Sequence, residues 1–254
     1  MKNLPLAFLL AIFLATSFNI VAQDEPPEEN YIYATYFYCD NSREDQADEL
    51  IKKNSAPFWD AAVEDGTING WGWLAHHTGG KWRRLRYHTA GSVDEALAAL
   101  EIVGQRIDEA MGDQEDDFNS ICSSHDDYIW QSEAGNSVTD NRGKAGLSVY
   151  EICSFEGEGR AAELVKDVFA PIYDKAVADG KITSWGSSTH VVGGKYRRLS
   201  TMTGNSFAEV LKTRNEIIAQ IYGEDGNNPA GAEYAKICGS HSDYLWEIMH
   251  EKRK

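Results

Sequence analysis

Positive charge is scarce in this chain: 24 lysines and arginines stand against 40 aspartates and glutamates, a formal charge of −16. A chain this acidic repels phosphate backbones and anionic headgroups, which argues against nucleic acid and membrane surfaces as partners. Long apolar runs are equally scarce. The only one spans Leu4 to Val21, and no later segment approaches the length that crosses a bilayer. Cysteine is limited to four residues with no C-x-x-C spacing, so the usual thiolate frames for a metal are absent. No catalytic signature stands out from the rest of the sequence.

What is present begins with the run itself. Lys2 precedes it, Thr16, Ser17 and Asn19 alone interrupt it, and Ala22 closes it before the acidic stretch Gln23–Glu29. A charged start, an apolar middle and a small residue at the end describe a secretory signal over residues 1–22. The alternative is an uncleaved anchor. No cysteine follows to carry a lipid, so a secreted or periplasmic, soluble mature chain is expected, with residues 23–30 as an acidic leader.

The rest of the chain is written twice. Gly66–Leu85 (GTINGWGWLAHHTGGKWRRL) aligns without a gap on Gly180–Leu199 (GKITSWGSSTHVVGGKYRRL), 11 of 20 positions being identical at an offset of 114. The same offset carries Cys39 to Cys153, Pro57 to Pro171, and Ser92 and Glu95 to Ser206 and Glu209. An offset of 116 carries Cys122 and His125 to Cys238 and His241, and Trp130 to Trp246. Chance does not align cysteine, tryptophan, glycine and proline together over a hundred residues, so the chain reads as a tandem duplication. The repeats are assigned to 31–131 and 146–250, with a Ser/Asn/Gly/Asp-rich linker over 132–145.

Each copy has the same pattern. Tyr31–Cys39 and Leu147–Phe155 are rich in aromatic and β-branched residues and predict strands. Amphipathic segments follow, with Ala161, Val165, Phe169, Ile172 and Ala176 at helical spacing and with a proline inside each segment that kinks or restarts the helix. Gly79-Gly80 and Gly193-Gly194 predict hairpin turns. Ser92/Glu95 and Ser206/Glu209 match the capping box of a second helix, with Leu97, Leu100, Ile107 and Met111, and Leu211, Ile217, Ile218 and Ile221, as its apolar residues. Last strands are expected near Tyr128–Gln131 and Tyr244–Ile248.

The order βαββαβ is that of the ferredoxin-like unit. On that order and its duplication, the sequence resembles the dimeric α/β-barrel superfamily in single-chain form. The resemblance implies an α+β fold, two ferredoxin-like repeats packed sheet-to-sheet as a pseudo-dimeric barrel. In such a unit the first strand ends beside the start of the last. The topology therefore favours disulfides Cys39–Cys122 and Cys153–Cys238 over free thiols or a metal site, each worth about 2–4 kcal/mol. Haem-binding members use a helical histidine. None of the seven histidines lies on a predicted helix, so no cofactor is implied.

Strand alternation groups the side chains able to carry chemistry. With Leu85 and Leu199 turned toward the helices, Arg84, Arg86, His88 and Arg198 face the barrel interior. Trp71, Trp73, Trp185, Phe37 and Glu151 are assigned to the same interior. The bland reading has the arginines locking the barrel and the tryptophans as core. The chemical reading has Arg84 and Arg198 orienting an anionic oxygen while Glu151 or His88 moves a proton. His76 with His125, and His190 with His241, are weak candidates for a metal or an acid–base pair; structural bracing explains both pairs equally well. The copies differ inside this set: Phe37 against Glu151, Trp73 against Ser187, Arg86 against Ser200, His88 against Met202. One crowded half and one open half is the pattern of a single specialised pocket, although drift produces it too. The expected function is small-molecule binding or a structural role. A cofactor-free monooxygenase or isomerase acting on a small anionic or aromatic substrate is the alternative.

Overall fold

The computed structural model describes residues 30–112, 117–137, 141–223 and 225–254. The expected signal (1–22) and the leader up to residue 29 lie outside the described residues. Strand β1 (Tyr31–Tyr38) is followed by α1 (Glu44–Leu50), a π-helical turn (Ile51–Ser55) and α2 (Ala56–Glu64). Then come β2 (Gly70–Thr78), β3 (Arg84–Ala90), α3 (Val93–Met111), α4 (Phe118–Ile121) and β4 (Ser124–Ser137). The order recurs in β5 (Ala145–Ile152), α5 (Glu158–Leu164), a π-helical turn (Val165–Phe169), α6 (Ala170–Ala178), β6 (Ser184–Val192), β7 (Arg198–Gly204), α7 (Phe207–Tyr222), α8 (Pro229–Ile237) and β8 (Ser240–Arg253).

Local chemistry accounts for these elements. Pro57 and Pro171 lie in the first turns of α2 and α6, where a missing N–H costs nothing, and the wide turn before each gives the ring room. Ser92 and Ser206 cap α3 and α7 by accepting from the amides of Glu95 and Glu209. The buried face of α3 is Ala96, Ala99 and Val103, whereas Leu97 and Leu211, expected to be apolar contacts, are exposed. Both disulfides have the expected partners, Cys39–Cys122 and Cys153–Cys238.

The eight strands close into one antiparallel barrel in the order β1-β3-β2-β8-β5-β7-β6-β4. Each half is a four-stranded sheet, and the halves join edge to edge through β2–β8 and β4–β6, not as two stacked sheets. Edge strands carry unpaired N–H and C=O groups, and this joining pairs all four edges at once. It also lengthens the last strands beyond the expected segments. β4 runs to Ser137, so residues 132–137, read as linker, are strand paired with β6.

An aromatic core packs inside the barrel, and a space of about 850 Å³ lined by Ile32, Ser132, Gly186, Ser188 and Thr201 adjoins the same strand face. Tyr36, Trp82, Tyr128, Trp130, Tyr150, Tyr196, Tyr244 and Trp246 pack with Leu74, Leu85 and Leu199 into one core drawn from both halves. Trp82 stacks on Tyr36 at 4.2 Å and on Tyr244 at 5.1 Å, and meets Tyr150 edge-on at 5.0 Å. The expected assignment of faces is therefore reversed. Leu85 and Leu199 point into the barrel, while Phe37, Trp71, Trp73, Arg84, Arg86, His88, Glu151, Trp185 and Arg198 lie on the outer face, beneath the helices. Alternation of period two sorts side chains into two sets without saying which set meets the helices.

Trp82 sits at the centre of this aromatic cluster, 4% exposed. Trp82→Ala should lower the unfolding free energy by about 3–5 kcal/mol, measured by denaturant titration of the oxidised chain.

Candidate functional site

The outer layers of the two halves differ, and the difference makes a cavity. In the second half a space of about 350 Å³ lies between the sheet and the helices. Its floor is Leu147, Val149, Glu151, Ser187, Ser200 and Met202, from β5, β6 and β7. Its roof is Val165, Phe169, Tyr173, Ile218, Tyr222 and Tyr234, from the π-turn and from α6, α7 and α8. Trp185 forms one wall, stacked on Tyr173 at 5.0 Å with its Nε1–H donated to Asp174 at 2.7 Å.

In the first half the corresponding positions hold larger side chains that pack on one another. Phe37 lies 5.7 Å from Trp73 and 5.3 Å from Phe118, and the Arg86 guanidinium lies 5.0 Å from the Trp59 ring. His88 is fully buried against Tyr33 and Trp59, with Nε2 on the Ala96 carbonyl at 2.8 Å. Burial pushes its pKa down to about 4, so it stays neutral. Phe37, Trp71, Trp73, Arg84 and His88 thus belong to a packed layer in the first half and are not brought together with Glu151 and Arg198.

The arginines at matching positions have different surroundings. Arg84 is pinned by α1: its Nε and Nη2 donate to the two oxygens of Asp48, each at 2.7 Å, and Nη1 donates to Glu44 at 3.0 Å. The Trp73 indole donates to the same Asp48 at 2.8 Å. Burial opposes the Arg84 charge, but the two carboxylates outweigh it and hold the guanidinium pKa above its ordinary value. In the second half Ala162 stands where Asp48 does, and Glu158, the counterpart of Glu44, bonds Arg197. Arg198 is wholly buried, and its Nη2 donates to Glu133 at 2.6 Å and to Ser187 at 3.0 Å. Its Nε and Nη1 have no acceptor among the described residues. Glu133 sits in a β-bulge of β4, between the pairs Ser132–Ser188 and Ala134–Ser187.

Glu151 is 8% exposed and accepts a hydrogen bond from Tyr234 at 2.8 Å. Burial pushes its carboxyl above the ordinary range; Tyr234 and the Arg198 charge pull the other way without cancelling the effect. At the rim, Asp243 holds both Arg214, at 2.5 Å, and His241 Nδ1, at 2.6 Å. The four histidines weighed for a metal each have a separate partner: His76 Nδ1 meets Arg83, His190 Nδ1 meets Arg197, His125 meets Asp127 and His241 meets Asp243. No cluster of three or more potential ligands occurs among the described residues.

No family profile matches the chain, and no curated protein matches it in sequence. Solved structures match it in shape. A candidate monooxygenase from Lactobacillus acidophilus NCFM superposes with a TM-score of 0.60 at 8% identity, over 89% of this chain and 97% of that one. An anthrone oxidase-like protein gives 0.57 at 10% identity, over 89% and 93%. This chain has the fold of the dimeric α/β barrels. A haem-binding protein from Thermus thermophilus shares the barrel at a TM-score of 0.51 and 11% identity, over 88% and 92%. The donor set in this barrel does not fit haem iron. All seven histidines lie on strands, the roof of the cavity carries none, and His241 at its rim is held by Asp243.

Several of these residues escaped the sequence reading. Tyr173, Tyr222, Tyr234 and Arg214 come from helices, and Glu133 from the supposed linker. The signal for the helical carboxylates was present: Glu44 and Asp48 are spaced four apart, on one helix face, and Asp60 recurs as Asp174.

Two outcomes follow. Asp48→Ala should destabilise the chain by about 3 kcal/mol, since it leaves a buried guanidinium whose remaining acceptors, Glu44 and the Arg83 carbonyl, both take Nη1; denaturant unfolding measures it. Glu151 retains a proton that the unfolded chain releases above its ordinary pKa of 4.5, so stability falls as pH rises from there through the folded-state value. Glu151→Gln should therefore gain stability over the parent as pH rises through that window. The two melting temperatures should converge below about pH 4.5.

Proposed function

We propose that this chain is an exported binding protein made of two ferredoxin-like repeats, with one small-molecule site in the outer layer of the second. One observation carries the reading. Four positions at which the repeats diverge in chemistry, Phe37/Glu151, Trp73/Ser187, Arg86/Ser200 and His88/Met202, fall on the cavity, with the second member of each pair lining it. Two of the exchanges replace a large side chain by serine, a third introduces a carboxyl, and His88/Met202 trades a polar ring for an apolar chain of similar size. The cavity is also of the size and the mixed apolar and polar lining that suit a small ligand. Export rests on the N-terminal pattern of charge, apolar run and small residue.

A second reading, a cofactor-free monooxygenase or isomerase, draws support from Glu151. A buried carboxyl on a tyrosine hydroxyl beside an aromatic-walled cavity is equipped to move a proton. Fold neighbours include a candidate monooxygenase and an anthrone oxidase-like protein. Glu151 lines the outer cavity, so the reading applies there.

Ser187→Trp restores the first repeat's side chain at the cavity floor and tests the site. Small aromatic compounds that raise the parent's melting temperature should lose at least tenfold in affinity against this variant, by calorimetry. Equal binding to both proteins would move the site elsewhere. Oxygen consumption or isomerisation of a bound compound that stops in Glu151→Gln would favour the enzyme.

A further inference from the structure

Glu151 is the acidic side chain that lines the cavity, and no group of opposite charge touches it. Its Oε2 accepts the Tyr234 hydroxyl at 2.8 Å, and it makes no ion pair among the described residues. Arg198 stands opposite it in the β5–β7 pair, but that guanidinium is bridged to Glu133 at 2.6 Å and does not line the cavity. Arg214 and His241 do line it, at the rim, and both are held by Asp243. The neighbouring cations are thus each matched by another acid, and Glu151 is left over. The first repeat has Phe37 at this position, so the carboxyl belongs to the half that carries the cavity.

Taking a carboxylate out of water is costly, and folded proteins pair such a charge. Burial pushes the Glu151 carboxyl above its ordinary range, and a cation set beside it restores the ionised form. The walls select the kind of cation. Trp185, Tyr173, Tyr222 and Phe169 line the space with Glu151, Tyr173 stacking on Trp185 at 5.0 Å and Phe169 meeting the ring of Tyr234 edge-on at 5.1 Å. Burial and then the Glu151 charge push the hydroxyl pKa values of Tyr173, Tyr222 and Tyr234 up, so the acid lies within electrostatic reach of the ringed roof. A bare metal ion needs several oxygen or nitrogen ligands, and no cluster of three or more occurs among the described residues. An organic cation needs one carboxylate and the faces of rings. We infer that the cavity binds a small arylalkylamine as its ammonium ion, the nitrogen on Glu151 and the ring among Trp185, Tyr173 and Phe169. The inference rests on the cavity being a ligand site and adds the chemical class. A space of about 350 Å³ accommodates a one- or two-ring amine. The formal charge of −16 favours the approach of a cation.

The test titrates three sets of compounds by calorimetry into the oxidised chain, each an amine, an alcohol and an acid on one ring. The sets are benzylamine, benzyl alcohol and benzoate; phenethylamine, 2-phenylethanol and phenylacetate; and tryptamine, tryptophol and indole-3-acetate. In at least one set the amine should bind tenfold or more tightly than the alcohol, and the acid no more tightly than the alcohol. Glu151→Gln keeps the shape and removes the charge. It should bring the amine to within about twofold of the alcohol and leave the alcohol's own affinity within the same margin. Ser187→Trp changes no charge and fills the cavity floor, so it should weaken the amine at least tenfold. Amine binding that survives Ser187→Trp belongs to the acidic surface and would overturn the inference. An alcohol or acid that binds as tightly as its amine in every set would overturn it while leaving the cavity a ligand site, as would a preference for the amine that survives Glu151→Gln. Failure of all nine compounds to bind would remove the cavity reading and the inference together.

Discussion

Edge-to-edge pairing of the two half-sheets is the constraint from which the rest of this molecule follows. Once β2 joins β8 and β4 joins β6, every strand has two neighbours and the inner face becomes a closed lumen. Closure fixes a division of labour between the two faces of every strand. The inner face, shared by both halves, carries the aromatic cluster and supplies cohesion. The outer faces, one per half, lie under separate sets of helices and are free to differ. A single sheet with one buried face has no such choice, because its core and its site compete for the same residues.

The outer layers show what that freedom permits. In the first half the layer is a second core, with large rings, a carboxylate-pinned arginine and a neutral histidine packed together. In the second half the same backbone positions carry smaller or more polar groups, and a cavity results. The residues that diverge at the cavity point away from the aromatic core of the lumen. Stability and specificity thus reside on opposite sides of the same strands.

Much of this was legible in the sequence, and the failures have physical causes. The repeat offset gave the element order because cysteine, glycine and proline mark strand ends, turns and helix breaks. The same offset identified the disulfide partners through the strand neighbours. Alternation correctly placed Phe37, Trp71, Trp73, Arg84, Arg86 and His88 in one set, and Glu151, Trp185 and Arg198 in its counterpart. It then placed both sets on the wrong side. Large rings suggest pocket walls and leucines suggest helix contacts, but a lumen shared by eight strands has room for tryptophan and tyrosine, and helices bearing Asp48, Asp60 and Asp174 favour polar partners. The roof tyrosines lie on helices, where the period-two alternation that sorts strand residues says nothing. Glu133 was missed because a bulge changes which way a residue faces, and local sequence rarely announces one.

That bulge has a consequence for the chain as a heritable unit. Glu133 lies on the last strand of the first repeat, yet it is the acid that neutralises Arg198 in the second. The specialised half therefore borrows a charge from the conservative one. Two identical subunits would have to carry both versions of every residue at once, and a gene split between the repeats would have to reassemble its products in one orientation to rebuild this contact. Fusion is thus more than a convenience of synthesis here: it lets one copy keep a carboxylate in trust for the other, and it ties the two copies to a common ancestry that neither can leave alone.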